Sequence, residues 1–164
     1  MDSNLLSALI GFFGGLAGVG IGAYLQRRVT HAQMCRETTL QLYDRLDDSD
    51  ILDSRIRADG ILSANAALPE PKSLSQLYAT LPRDEWQHIS RTRHFIDQIG
   101  LLQRIGYLDG TIAVPLFASF VQYWVDRYFS PLEELDRTLA EKTDLRPQQW
   151  RVTGAELKRL FPKT

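Results

Sequence analysis

The stretch LLSALIGFFGGLAGVGIGAYL, Leu5 to Leu25, contains no charged side chain and decides the architecture of this chain. An α-helix rises 1.5 Å per residue, so about 20 apolar residues cross the hydrocarbon core of a bilayer. The run meets that length and ends abruptly at Gln26, Arg27 and Arg28. A cleaved signal would open with a basic segment. Here Asp2 is the only charged side chain before the run, although Gly20-Ile21-Gly22 has the small-x-small pattern of a cleavage site. A buried core helix is shorter and has a polar face, whereas Ser7 is the only hydrogen-bonding side chain from Leu5 to Ala23. The sequence therefore predicts an all-α protein, with a single N-terminal transmembrane helix continuing into a small cytosolic helical bundle. Residues 1–26 are expected to form the anchor, 27–145 the bundle, and 146–164 a C-terminal tail with a short helix.

The flanks set the expected orientation. Arg27, Arg28, His31 and Arg36 follow the run and no Lys or Arg precedes it. The side richer in Lys and Arg stays cytoplasmic. This places the N-terminus outside the plasma (inner) membrane and the C-terminal domain in the cytoplasm, with Tyr24 beside the arginines at the interface. Glycines are dense within the run, at 11, 14, 15, 18, 20 and 22. The pairs Gly11/Gly15, Gly14/Gly18 and Gly18/Gly22 are four residues apart and share helix faces, the pattern that lets membrane helices pack closely. A protein partner or a homo-oligomer formed through this helix is the expected association.

Beyond the anchor, 19 basic residues face 19 acidic ones once Asp2 is set aside from the total of 20. That balance argues against a nucleic-acid surface, which needs a basic excess or stripe. Cys35 is the only cysteine, so no intrachain disulfide forms, in keeping with a reducing compartment. The remainder reads as helices. Leu25, Val29, Ala32, Cys35, Thr39, Leu42 and Leu46 recur at three- and four-residue steps, which predicts that the anchor helix runs on as an amphipathic helix. Asp47-Asp48-Ser49-Asp50 ends it, and a second helix over about 50–66 places Leu52, Ile56 and Leu62 on one face. Ser73 caps a short helix with Leu74, Leu77 and Tyr78 inward. A long helix follows over about 83–105, with Gly106 as its C-terminal cap. Asp109 caps a brief turn before Pro115, and an apolar helix spans 115–129. Ser130-Pro131-Leu132-Glu133 reads as a fresh helix start, with cap, proline and capping box. Thr153 and Glu156 repeat that spacing before a last helix carrying Leu157, Leu160 and Phe161.

Phe95-Ile96-Asp97-Gln98-Ile99-Gly100-Leu101-Leu102, then Gly106-Tyr107-Leu108-Asp109, then Tyr123-Trp124, resembles an uncharacterised bacterial family of small single-pass membrane proteins with a cytosolic helical domain. This chain departs from that pattern by Ile96 at an aromatic position and Asp97 where glutamate is common. The resemblance implies membrane attachment and an all-helical domain, and it supplies no catalytic residues.

Few residues suggest chemistry. Asp97 lies among Phe95, Ile96 and Ile99, and a buried carboxylate with a raised pKa can act as acid or base. A structural ion pair with Arg93, one turn earlier, or with Arg55, is the reading preferred here. His31 and Cys35 are both metal-ligand types at i and i+4, but one chain offers only two ligands, and packing of Cys35 on the apolar seam explains it better. His88 and His94 have no adjacent nucleophile. Asp47, Asp48, Asp50 and Asp53 lack the glycine and glutamate of a calcium loop. No phosphate-binding loop, HExxH or CxxC occurs. No catalytic, cofactor or metal residue and no small-molecule substrate is expected. The function expected is a non-enzymatic, membrane-anchored interaction, accessory or regulatory subunit. The alternative is a self-oligomerising membrane effector of phage- or defence-related type.

Overall fold

A computed structural model describes the backbone of residues 3–142 and 151–162, with side chains from Gly18 to Glu141 and from Arg151 to Pro162. The described residues form helices and no strand. The first helix, α1 (Ser3–Asp44), is 42 residues long and unbroken, about 63 Å at 1.5 Å per residue. Its surroundings change along its length. Every residue from Gly18 to Met34 is exposed, whereas Cys35, Thr39, Leu42 and then Leu46 are buried. The apolar stripe read from the sequence is therefore continuous, but only its second half meets the bundle. Leu25 and Val29, on the same stripe, stay exposed. Among the described residues no helix is long and apolar enough to cross a membrane. Most of the expected anchor, including Gly11, Gly14 and Gly15, lies outside the residues whose side chains are described.

A short turn leads into α2 (Ser49–Ala66), and the Arg55 guanidinium closes that turn by donating to the carbonyl of Leu46 at 2.9 Å. The buried face of α2 differs from the one expected. Ser54, Ala58, Leu62 and Asn65 point inward, while Leu52 and Ile56 are exposed. The reason is steric: small side chains at 54 and 58 let α2 lie close along α4 (Arg83–Arg104), its main neighbour. Between them α3 (Leu74–Thr80) is held by a capping box, Ser73 with Gln76, and by Asp136, whose carboxylate accepts from the Ser75 N–H at 3.0 Å. Leu74 and Leu77 are buried, but Tyr78 is turned out against Trp86, with ring centroids 5.3 Å apart.

The helix α4 buries Ile89, Phe95, Ile96 and Ile99, and ends at Gly106, whose φ of +74° favours glycine. Asp109 then caps α5 (Gly110–Trp124), accepting from the Thr111 N–H. This helix runs through Pro115 rather than starting there. Proline so near the N-terminus sacrifices a single helical hydrogen bond, which the exposed side tolerates. Nor does the chain break at Ser130, where a fresh helix start is expected. A π-helical turn, Val125–Phe129, joins α5 directly to α6 (Ser130–Lys142). Ser130 has helical dihedrals and its N–H goes to the Val125 carbonyl five residues back. The wider turn sets Pro131 into a continuous rod and brings Val125, Tyr128 and Phe129 all to the inside.

The last helix, α7 (Gly154–Leu160), is capped by Thr153, as the spacing predicts. Val152, Leu157 and Phe161 are fully buried, so residues 151–161 complete the bundle core rather than trailing from it. Gly100 on α4 makes room for them. A Cβ there would sit 2.5 Å from Leu157 Cδ2 and 3.2 Å from Val152 Cγ1.

Candidate functional site

Polar side chains gather in three places. The innermost is on α4. Arg93 and Asp97 are one turn apart, so both side chains leave the same face, and there they grip the two main-chain groups of one residue. Arg93 Nη2 donates to the Val152 carbonyl at 2.7 Å, and Asp97 Oδ1 accepts from the Val152 N–H at 2.8 Å. Asp97 Oδ2 also accepts from the Arg151 N–H, at 3.3 Å. Among the described residues Arg93 also pairs with Glu133 of α6, at 3.0 Å, and the charge of Asp97 acts on the same guanidinium. Glu133 in turn accepts from the Gly154 N–H at 3.0 Å. A Cβ at Gly154 would lie 2.7 Å from Ser130 Oγ, so glycine permits this approach.

Burial pulls the Arg93 guanidinium below its ordinary pKa, against the charges of Glu133 and Asp97, and its face covers Phe129 at 5.2 Å. Arginine keeps its proton in proteins, so this is a sealed, charged clamp. Its carboxylates are occupied by main-chain N–H groups and arginine, which suits holding the C-terminal segment rather than moving protons. Glu133 joins the three elements, although its place in the sequence suggests only a capping-box partner. Nothing local in a sequence signals a partner 40 residues away.

The second cluster lies at the surface beside the π turn, and no sequence motif announces it. The hydroxyls of Tyr123 and Tyr128 both donate to Asp59 Oδ1, at 2.5 and 2.7 Å, and Ser63 Oγ is 2.7 Å from the Tyr128 hydroxyl. Arg127 stacks over both tyrosine rings, at 5.4 and 5.3 Å. Burial pushes the Asp59 carboxyl up, but the two hydroxyls and Arg127 outweigh it and hold Asp59 below its usual value. The same carboxylate raises the Tyr123 phenol far above its ordinary value. A cleft of about 260 Å³ opens here between Leu52, Arg55, Ile56, Asp59, Tyr123 and Trp124. Leu52, Ile56 and Tyr123 are exposed beside it. Exposed apolar and aromatic groups thus surround a fixed polar centre, with arginines at the edge. The aromatic pair Tyr123-Trp124 is its one trace in the sequence, and by spacing alone that pair belongs to a core helix.

The third place is where α1 meets the bundle. Cys35 Sγ donates to the Gly106 carbonyl at 3.4 Å and lies 3.5 Å from His31 Nδ1. Among the described residues no group of three or more His, Cys, Asp and Glu side chains converges as a metal site. His88 contacts Ser54 and His94 contacts Ser90 on its own helix. Asp53 pairs with Arg57 and Asp48 flanks α2, so the acidic stretch is a helix junction. A Cβ at Gly18 or Gly22 would meet nothing within 4 Å, so the helix surface there is open, and Tyr24 is exposed with Arg27 and Arg28. Comparison of the chain with known protein families, curated proteins and solved structures finds no match.

Proposed function

We propose that this protein is a single-pass, membrane-anchored, non-enzymatic interaction subunit. The first half of α1 sits in the plasma membrane with its N-terminus outside, and the bundle presents a protein-binding face in the cytoplasm. One observation carries the reading: α1 is unbroken, yet Val19, Ile21, Tyr24, Leu25 and Val29 are all more than half exposed. These side chains spread over more than half of the helix circumference, and apolar surface of that width on a projecting helix favours contact with lipid or another helix. The charge-free run that includes Val19 to Leu25 and the arginines that follow it favour lipid, with the glycine face available for a partner helix. Tethering raises the effective concentration of the bundle towards other membrane proteins. The face around Ile56 and Tyr123 is where such a partner is expected to bind.

The test starts from the full chain in native membranes, in a Cys35→Ser background. Alkaline extraction should leave it in the membrane. A cysteine at Ser3 should react with an impermeant reagent from outside, and one at Tyr78 should react only after lysis. Release by alkali, or the reverse labelling, overturns the reading. Crosslinking then addresses association: Gly14→Ile with Gly18→Ile should abolish it without preventing insertion. Capture of a stoichiometric different protein supports an accessory subunit. Self-association alone, with loss of membrane potential on expression, moves the assignment to the oligomeric effector.

A further inference from the structure

The turn between α4 and α5 is the part of the bundle nearest the projecting half of α1. The register of contacts shows it: the Asp109 N–H donates to Thr39 Oγ1 at 3.0 Å, Cys35 donates to the Gly106 carbonyl, and Tyr107 reaches His31, with ring centroids 6.3 Å apart. The other ring contacts between α1 and the bundle, or just after α1, lie further along the chain, Tyr43 on Phe117 and Arg45 over Phe95. At the tip of the turn, Ile105 and Tyr107 are 53% and 45% exposed, on either side of the positive-φ Gly106. An exposed isoleucine and tyrosine at a turn tip have no role in the bundle core.

Helical spacing puts Tyr24, Arg27 and Arg28 seven, four and three residues before His31, on the α1 face that Tyr107 meets. From Leu25 to His31 is about 9 Å along the helix axis, comparable with the depth of one headgroup layer. Among the described residues, Arg27 and Arg28 form no ion pair within 4 Å, while the acids around the turn already have bases: Glu156 pairs with Arg104, and Asp109 is drawn to Arg36. The side facing the anchor thus combines exposed aromatic and aliphatic groups with two uncommitted arginines. That is the chemistry of the boundary between hydrocarbon and anionic headgroups.

We infer that the Ile105–Tyr107 turn is a second membrane contact, seated in the anionic headgroup layer beside the point where α1 leaves the bilayer. This rests on the anchor reading above. Tyr107 and Tyr24 would lie at the two edges of that layer, with Arg27 and Arg28 between them on lipid phosphates. The contact fixes how the bundle stands on the membrane. Its consequence is that the Tyr78–Trp86 corner, about 27 Å away along α4 from Arg104, faces the cytoplasm rather than the lipid.

The test uses the full chain, Cys35→Ser, reconstituted into vesicles of phosphatidylcholine and phosphatidylglycerol. Single cysteines at Val19, Ile105 and Tyr78, all exposed positions, carry a nitroxide label, with retained helicity as the check on folding. Collisions with oxygen and with a water-soluble nickel complex report depth. The expected pattern is high oxygen and low nickel access at 19, full nickel access at 78, and nickel access at 105 several-fold lower than at 78. Lipid-like access at 19 with equal nickel access at 105 and 78 overturns the second contact and leaves the anchor standing. Water-like access at 19 overturns the anchor itself, and the second contact with it.

Discussion

The two halves of α1 are one helix in two different settings. From Cys35 onward its inner side chains are buried and fastened to the rest of the chain, through Thr39 to the Asp109 N–H and through Tyr43 to Phe117. From Gly18 to Met34 the same helical repeat meets nothing that buries it. Periodicity therefore reports that a helix has an apolar side, and not what that side touches. The bundle is held by its own contacts, while the projecting half depends on what surrounds it. Substitutions in the two regions should accordingly be read by different assays: bundle changes by unfolding, projecting changes by membrane behaviour.

The largest expected effect is at the inner clamp. Arg93→Ala leaves the buried Asp97 and the partly buried Glu133 without their compensating charge, and should cost about 3–5 kcal/mol in denaturant unfolding. Val19→Ser, on the projecting half, should change bundle unfolding by less than about 0.5 kcal/mol. Equal effects would erase the distinction between the halves. Next, Gly100→Ala places a methyl against Val152 and Leu157, and should cost about 1–3 kcal/mol through overpacking, with faster proteolysis of residues 151–161. Proteolysis unchanged from wild type would mean that α7 is held by the polar clamp alone. In the opposite direction, Gly60→Ala meets nothing within 4 Å and should stabilise α2 by about 0.5–1 kcal/mol.

The smallest effect expected is a pH dependence at the outer cluster. The Asp59 carboxyl is held below its ordinary value of 3.8 in the folded chain. The stability it contributes is therefore complete above 3.8 and is lost as pH falls through the lower folded value. Asp59→Asn should flatten this acid limb of the stability profile while leaving the profile near neutrality parallel to wild type. An unchanged acid limb would show that the two tyrosine hydroxyls do not stabilise the charged carboxylate.

Much of the fold is legible in the sequence because it is written locally. Ser73 and Thr153 each cap the helix expected, Asp109 caps where expected but opens all of α5 rather than a brief turn, and Gly106 ends α4 with a positive φ, since caps depend on residues within one turn. The buried face of α2 is not the one hydropathy suggests. Leu52 and Ile56 are the larger apolar groups, whereas close approach to α4 selects the small Ser54 and Ala58. Ser130-Pro131 reads as a helix start by every local rule. It lies inside a rod because an i→i+5 turn, stabilised by burying Tyr128 and Phe129, supplies what an α-helix could not. Of the clamp, Arg93 and Asp97 are visible as a pair one turn apart, but their shared target, the main chain of Val152, is not. Of the surface cluster, the sequence shows only the aromatic pair, because Asp59 and the two tyrosines are more than 60 residues apart and carry no common motif.

By itself the sequence determined the helical class, most helix ends, and the charge-free run that motivates the anchor, because spacing, caps and hydropathy act within a few residues. Only the tertiary structure decided that α1 is buried along one half and exposed from Gly18 to Met34, that Val152 is gripped from both sides, and that Ile105 and Tyr107 stand at the end of the bundle nearest the arginines. Those are meetings between distant segments, fixed by which surfaces fit once all the helices are in place, and no local pattern encodes them.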